Sequence, residues 1–325
     1  MTQLPLDSRA AAETIPSRRR HHLSRRRRAL ELSVPYMLIL PTLLAIGALL
    51  GYPIYKLITM SLQDYDRIEV VARYLKPSWV GFQHFSFVLH DRLFWQVLER
   101  SAIFTVANVG LTIIGGTLIA LLLLRVSTWV RLVLTSGLVL VWAMPAVVAV
   151  EVWLWMTQPD NAILTNIFSK LHLVSYGHDW QATPFQALSV VTAVIVWGAI
   201  PFIVVTVYAG LSQVPAELVE ASRVDGARSW QTWRDVTFPI LRPVLLIVTS
   251  LSIIWDFGVF TQAYLVIQQE QLIPANYIMG TYLFEVGTSN HRIATGSAIC
   301  LLMFVIVAIM SIFYVRKMVQ IGDVQ

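Results

Sequence analysis

Charge is scarce in this chain. Only 13% of its 325 residues are Asp, Glu, Lys or Arg, while 56% are hydrophobic, and a soluble domain carries about 25% charged residues. A water-soluble fold of this length could bury one core, but not several separate apolar runs each long enough to cross a bilayer. Cysteine is nearly absent as well. Cys300 stands alone, so no intrachain disulfide forms, and its apolar surroundings read it as a small packing residue. None of the lysines, Lys56, Lys76, Lys170 and Lys317, follows a glycine, which excludes the Gly-Lys-Ser/Thr of a phosphate-binding P-loop. A His-Glu-x-x-His pair, a Gly-x-Ser-x-Gly turn and paired intramembrane carboxylates are also missing. That leaves no reading as an intramembrane hydrolase and no metal site.

What is present is a series of apolar runs. Pro35–Leu57, Ala102–Leu124, Leu132–Met156, Ala187–Leu211, Pro243–Ile267 and Ile293–Val315 each meet the length of about 20 mainly apolar residues needed to span a membrane. Runs of this length pair their backbone internally as helices and lack the every-second-residue alternation of barrel strands. The predicted fold is therefore an all-α integral membrane protein with six transmembrane helices. Pro41, Gly51, Gly115, Gly116, Pro145, Gly198 and Pro201 fall inside these runs and predict kinked helices around a pathway, or simply tight packing of small residues.

Orientation follows from the Lys and Arg in the connections. Arg9, Arg18, Arg19, Arg20, Arg25 to Arg28, Arg125, Arg131, Arg223, Arg228, Arg234, Arg242, Arg316 and Lys317 fall on one side, the larger share of the 24. Both termini and the loop around Gly226 are thereby predicted to be cytoplasmic. The stretch RRRHHLSRRRR from Arg18 reads as part of a basic tail over 1–33, solvated and drawn to anionic head groups. The first apolar run has spanning length and no small-residue cleavage site, so it reads as a retained signal anchor. The spanning domain is placed at 34–317, with a short tail at 318–325. The outer segment from Ile58 to Leu98, with Trp79, Gly81 and Phe82, predicts a partly folded extracytoplasmic element. Trp153, Trp155 and Trp180 lie near predicted interfaces, where an aromatic belt is expected beside a sugar-stacking alternative.

The cytoplasmic loop at about 212–240 is the most informative segment: QVPAELVEASRVDGARSWQTWRDVTFPILRP from Gln213. Pro215 suits a first helical turn, and Glu217 puts negative charge at the positive end of that helix. Asp225 and Gly226 predict its stop. A second short helix, with Trp230, Trp233 and Val236 at three-residue spacing, is expected to end before Pro239. Two short helices at a glycine turn make either a knob that docks in a partner's groove or an interfacial hairpin that orients its neighbours.

The loop resembles the EAA loop of binding-protein-dependent ABC importer permeases: Glu220, Ala221 and Ser222, then Gly226, then Val236, Thr237, Phe238 and Pro239 at the family's spacing. Ser replaces the second Ala, Val the Ile and Phe the Leu. WVGFQHF from Trp79, VWGAIPF from Val196 and VPAELVEASRVDGA from Val214 resemble the carbohydrate (maltose and glycerol-phosphate) branch, with the likeness running over roughly 38–317. The resemblance implies a type I ABC importer permease fold in a bacterial inner membrane. It also implies a coupling role for Glu217, Glu220, Ala221, Ser222, Asp225, Gly226 and Pro239. ATP and Mg would be bound by a separate ABC ATPase dimer, and a second homologous permease and an extracytoplasmic solute-binding protein would complete the system. No nucleic acid is expected as a partner.

For the solute path, Ser252, Asp256 and Val259 fall at i, i+4 and i+7, on one helical face. An intramembrane carboxylate is costly and marks a pathway by default, with an interhelical hydrogen bond as the other reading. Glu151, counted about 30 Å along a straight helix, lies near the outer surface and is a weaker pathway candidate. An ion-coupled carrier using Glu151 and Asp256 as a relay is the alternative function.

Overall fold

The computed structural model describes residues 25–66, 76–159, 162–267 and 272–322, with side chains from 36 to 317. Most of the basic tail expected over 1–33 lies outside these residues. Among them, the regular secondary structure is helical, and the one β-type pairing is an isolated bridge between Gln63 and Trp79. Five helices are long and apolar enough to span a membrane, and a bent pair supplies a sixth.

The chain divides into two units, Met1–Tyr55 and Lys56–Gln325. In the first, α1 (Arg25–Ile46) passes through a π turn (Gly47–Gly51) into α2 (Tyr52–Ser61), within which the boundary between the units falls. Side chains 36–55 are exposed, as suits an apolar helix solvated by lipid.

After the last residues of α2, the second unit continues with a short outer helix, α3 (Gln83–His90), followed by the long span α4 (Arg92–Leu123). The Asp91 side chain caps α4, accepting from the Leu93 N–H at 2.9 Å. That cap starts the helix ten residues before the apolar run at Ala102. Next come α5 (Thr128–Trp142), α6 (Ala146–Met156), α7 (Ile163–Lys170) and α8 (Pro184–Leu211). The cytoplasmic hairpin consists of α9 (Ala216–Val224) and α10 (Ser229–Thr232), and a π turn (Trp233–Thr237) leads from it into α11 (Phe238–Phe257). The chain closes with α12 (Thr261–Ile267), α13 (Met279–Phe284), a π turn (Glu285–Ser289) and α14 (Ile293–Gly322). Helix α14 runs past residue 317, where the sequence placed a tail.

Three elements differ from the expectation set by the sequence. The third span is two helices bent by 100°. Pro145 has no N–H to donate and biases Met144 away from helix, so the chain breaks there instead of kinking. The fifth apolar run does not span as drawn: α11 stops at Phe257, and residues 258–260 link it to α12. Pro239 ends nothing, because it sits in the first turn of α11. The Phe238 N–H bonds five residues back to the Trp233 carbonyl, and this wider π turn makes room for a ring that would otherwise meet the carbonyl of Asp235.

Helix α8 organises the packing. Its outer half (Val190, Val191, Val194) joins Phe104, Val150, Ala263 and Val266 in one buried cluster. The cytoplasmic half (Ile203, Val204, Val207) joins Leu123, Leu241 and Val248 in another. The two helices α4 and α8 approach closely at Gly116, where a Cβ would sit 2.6 Å from Ile203 Cγ2. Gly116→Leu should therefore overpack the pair, costing roughly 1–3 kcal/mol. The expected sign is a lower melting temperature in detergent, and an unchanged one would refute this contact.

The outer segment is tied to α14 by Asp66. Its Oδ1 accepts from the Ala294 N–H at 2.7 Å and the Thr295 N–H at 3.2 Å, while Oδ2 lies 3.6 Å from His84 Nδ1 and 3.7 Å from Arg292 Nε. A carboxylate at a helix N-terminus satisfies orphan donors and the helix dipole together.

Candidate functional sites

The cytoplasmic hairpin is built as its turn residues dictate. Gly226 holds φ +82°, a left-handed conformation open to glycine without penalty. From there its N–H reaches the Arg223 carbonyl at 3.0 Å, and the Ala227 N–H reaches Ser222 at 3.0 Å. These two bonds form a Schellman closure of α9, with Asp225 as C-cap. Glu217 sits in the first turn and Arg223 in the last, both favourable to the helix dipole.

Ser222 ties the hairpin together. Its hydroxyl donates to the Val219 carbonyl at 2.8 Å and lies 3.0 Å from Thr232 Oγ1, so Thr232 supplies the proton of the second bond. The Ser that departs from the EAA pattern thus joins α9 to α10. Ser222→Ala restores the family's residue and loses a bond worth about 1 kcal/mol. Faster amide exchange through α9 and α10, with the hairpin otherwise intact, is the expected result.

The outward side of the knob carries Glu217, Glu220, Ala221, Asp225 and Gly226, all exposed. Beside them stand Val224 at 87% exposure, Trp230 at 67% and Leu218 at 48%. These apolar side chains stand open to the surroundings on a loop that is otherwise charged. Val224 and Leu218 were not singled out in the sequence, since one apolar residue on a short helix carries no signal until its exposure is known.

The second site lies between the two α8 clusters. A cavity of about 270 Å³ is lined by Trp142, Met144, Ala146, Trp197, Gly198, Phe202, Trp255, Asp256, Val259 and Gln262, among others. Trp142 stacks on Phe202 with ring centroids 6.1 Å apart and planes at 21°, and Phe202 meets Trp255 edge-on at 5.5 Å. Its walls come from either side of the Pro145 break, from the continuous helix α8 around its internal Pro201, and from the break after Phe257. Pro201 cannot donate to the Trp197 carbonyl, which leaves that acceptor without its helical partner.

Asp256 is buried and lines this cavity. Among the described residues no hydrogen bond from another helix reaches its carboxylate, so the interhelical reading finds no support in the geometry. Ser252 is buried one turn below and does not line the cavity. Val259 does line it, but from the irregular link and not from a helical face. Glu151 is exposed on α6, and the bend at Pro145 removes the straight helix on which its depth was counted. Trp142, Trp197, Phe202, Trp255 and Gln262 line the same cavity, and no spacing in the sequence points to them as a group. Of the belt tryptophans, Trp155 is exposed, Trp153 packs edge-on to Trp197 at 6.3 Å, and Trp180 donates to Thr165 Oγ1 at 3.0 Å.

A bundle of broken spanning helices around a polar-tipped aromatic cavity, with an exposed hairpin on its cytoplasmic face, is the architecture of a membrane transport subunit. Residues 112–320 match the family "Binding-protein-dependent transport system inner membrane component". The diacetylchitobiose uptake permease DasB of Streptomyces coelicolor is 36% identical over 87% of this chain and 85% of its own length. The trehalose permease SugA of Mycobacterium tuberculosis is 26% identical over 89% and 90%. In fold, a chain of a bacterial ABC transporter that imports the acidic polysaccharide alginate superposes with TM-score 0.74 at 17% identity, covering 91% of this chain and 99% of that one. The chain belongs to the family of inner membrane components of binding-protein-dependent transport systems. It is a multi-pass permease subunit and not an enzyme, and the ion-coupled carrier reading has no support.

Proposed function

We propose that this chain forms half of the translocation pathway of an ATP-driven sugar importer and takes its power stroke through the α9–α10 hairpin. The observation that carries the solute reading is the cavity at Asp256. Aromatic faces suit the C–H faces of sugar rings, and a carboxylate accepts hydrogen bonds from hydroxyls. The relatives named for diacetylchitobiose and trehalose support the same class. At about 270 Å³ the cavity falls just below the usual range of about 300–1,000 Å³ for small-molecule sites. A second homologous permease facing it would complete a disaccharide-sized chamber.

On the cytoplasmic side, Leu218 and Val224 supply the apolar contact of a helix seated in a groove, and Glu217, Glu220 and Asp225 surround it with charge. The groove would belong to an ABC ATPase dimer that holds ATP and Mg. An extracytoplasmic binding protein would deliver the solute to the opposite face. Purification from the native membrane in mild detergent tests the assembly: an ATPase and a second permease should accompany the chain in fixed ratio. Reconstituted with its partners, the complex should import a labelled β-linked or α-linked disaccharide such as diacetylchitobiose or trehalose. Isolation without any ATPase, or uptake by the chain alone, would count against this function.

A further inference from the structure

We propose that the groove between α4 and the cytoplasmic hairpin is a binding site for an anionic phospholipid, so that the coupling knob rests on a lipid as well as on protein. A cavity of about 890 Å³ opens there. One wall is α4, with Ile113, Ile114, Thr117, Leu118 and Leu121, and the other is the hairpin, with Trp230, Trp233 and Phe238. Arg125 and Arg223 line the same cavity, and no Asp or Glu does.

Both guanidiniums are exposed and lack a carboxylate partner among the described residues. The neighbouring charges have other engagements. Arg131 donates to the Leu123 and Val126 carbonyls at 2.9 and 3.2 Å and so closes the end of α4, while Arg234 and Asp235 pair with each other at 2.7 and 3.0 Å. Arg125 is therefore not needed as a helix cap, and Asp235 is not available to neutralise the site. Thr117 also contributes a buried hydroxyl with no partner.

The arrangement has two ends of opposite character. Toward the membrane the groove is aliphatic, and Ile114 and Leu118 are exposed. Toward the cytoplasm it ends in two free arginines and two tryptophans, the residues that sit at head-group depth. A fork of guanidiniums above an apolar slot recognises a phosphate that carries acyl chains. A soluble anion would leave the slot unfilled, and a sugar would leave the arginines without countercharge. The proposal rests on the groove alone and is independent of which solute is carried.

Native mass spectrometry of the assembled transporter, purified and exchanged into phosphatidylglycerol or phosphatidylcholine, provides the test. Wild-type complex should retain phosphatidylglycerol in preference to phosphatidylcholine. Arg125→Gln with Arg223→Gln should lower that retention roughly tenfold, whereas Arg242→Gln with Arg316→Gln, the same loss of charge elsewhere, should not. Leu118→Trp fills the slot without changing charge and should also displace the lipid, which keeps the test open if the double variant assembles poorly. Equal retention of both lipids by wild type overturns the site, as does a double variant that holds phosphatidylglycerol as well as wild type. A cross-link from Leu118→Cys to the second permease, with no lipid bound, would show that protein fills the groove instead.

Discussion

Gly226→Val should abolish solute uptake while leaving the amount of chain in the membrane unchanged. At φ +82° a β-branched residue is strained by at least the 1–2 kcal/mol, roughly, that a left-handed conformation costs an L-residue. Each 1.4 kcal/mol or so depletes the closed hairpin about tenfold. Sterics inside this chain add nothing, since a Cβ at Gly226 would meet no atom within 4 Å. The new side chain would stand instead in the surface offered to a partner, beside Asp225 and Val224. Strain and protrusion act together on docking, and neither touches the spanning helices. Asn tolerates the left-handed region, so Gly226→Asn should recover much of the uptake that Val removes. Transport assays on membrane vesicles, normalised to chain content, separate the two, and normal uptake by Gly226→Val would remove the hairpin from the coupling path.

The first helix of that hairpin and its glycine turn were legible in the sequence because their chemistry is local, whereas the second expected helix proves to be the start of the continuous span Ser229–Phe257. Pro215, Asp225 and Gly226 each dictate a backbone conformation over one or two residues, and the Schellman bonds follow from that. Spanning segments were legible too, since length and apolarity suffice to predict a helix in lipid. The cavity was not. Trp142, Trp197, Phe202 and Trp255 come from three helices, α5, α8 and α11, and each reads alone as one more apolar residue in an apolar run. They converge because α5 breaks at Pro145 and α11 stops at Phe257, and hydropathy cannot separate a kink from a break. In the second case the link carries no proline, and Gly258 is its only local sign. A closer cause lies far away in the chain: Gly280 lets the backbone of α13 press against the carbonyls of Gly258 and Val259. Such an approach between residues distant in sequence has no signature in a periodicity.

Asp256→Leu should depress uptake about a hundredfold while raising the melting temperature of the protein, and the opposite signs identify what the carboxylate is for. A hydrogen bond to a charged group is worth about 1.5–3 kcal/mol, so losing one or two such bonds to a sugar accounts for that depression. The carboxylate is buried beside Trp255, Phe202 and Trp142 with no partner from another helix among the described residues, and an ionisable side chain held this way is a cost to the fold. Leucine of similar volume removes the cost. Were Asp256 a structural strut, the same substitution would leave some donor unsatisfied and lower the melting temperature along with uptake. Asp256→Asn keeps hydrogen-bonding capacity and should fall between, and Trp142→Ala should weaken uptake without the stabilisation, since it deletes a stacked ring and relieves no buried charge. Uptake by the reconstituted complex, read beside thermal melting of the same variants in detergent, decides the matter: a destabilised Asp256→Leu protein, or one that still transports at the wild-type rate, would place the solute elsewhere in the bundle.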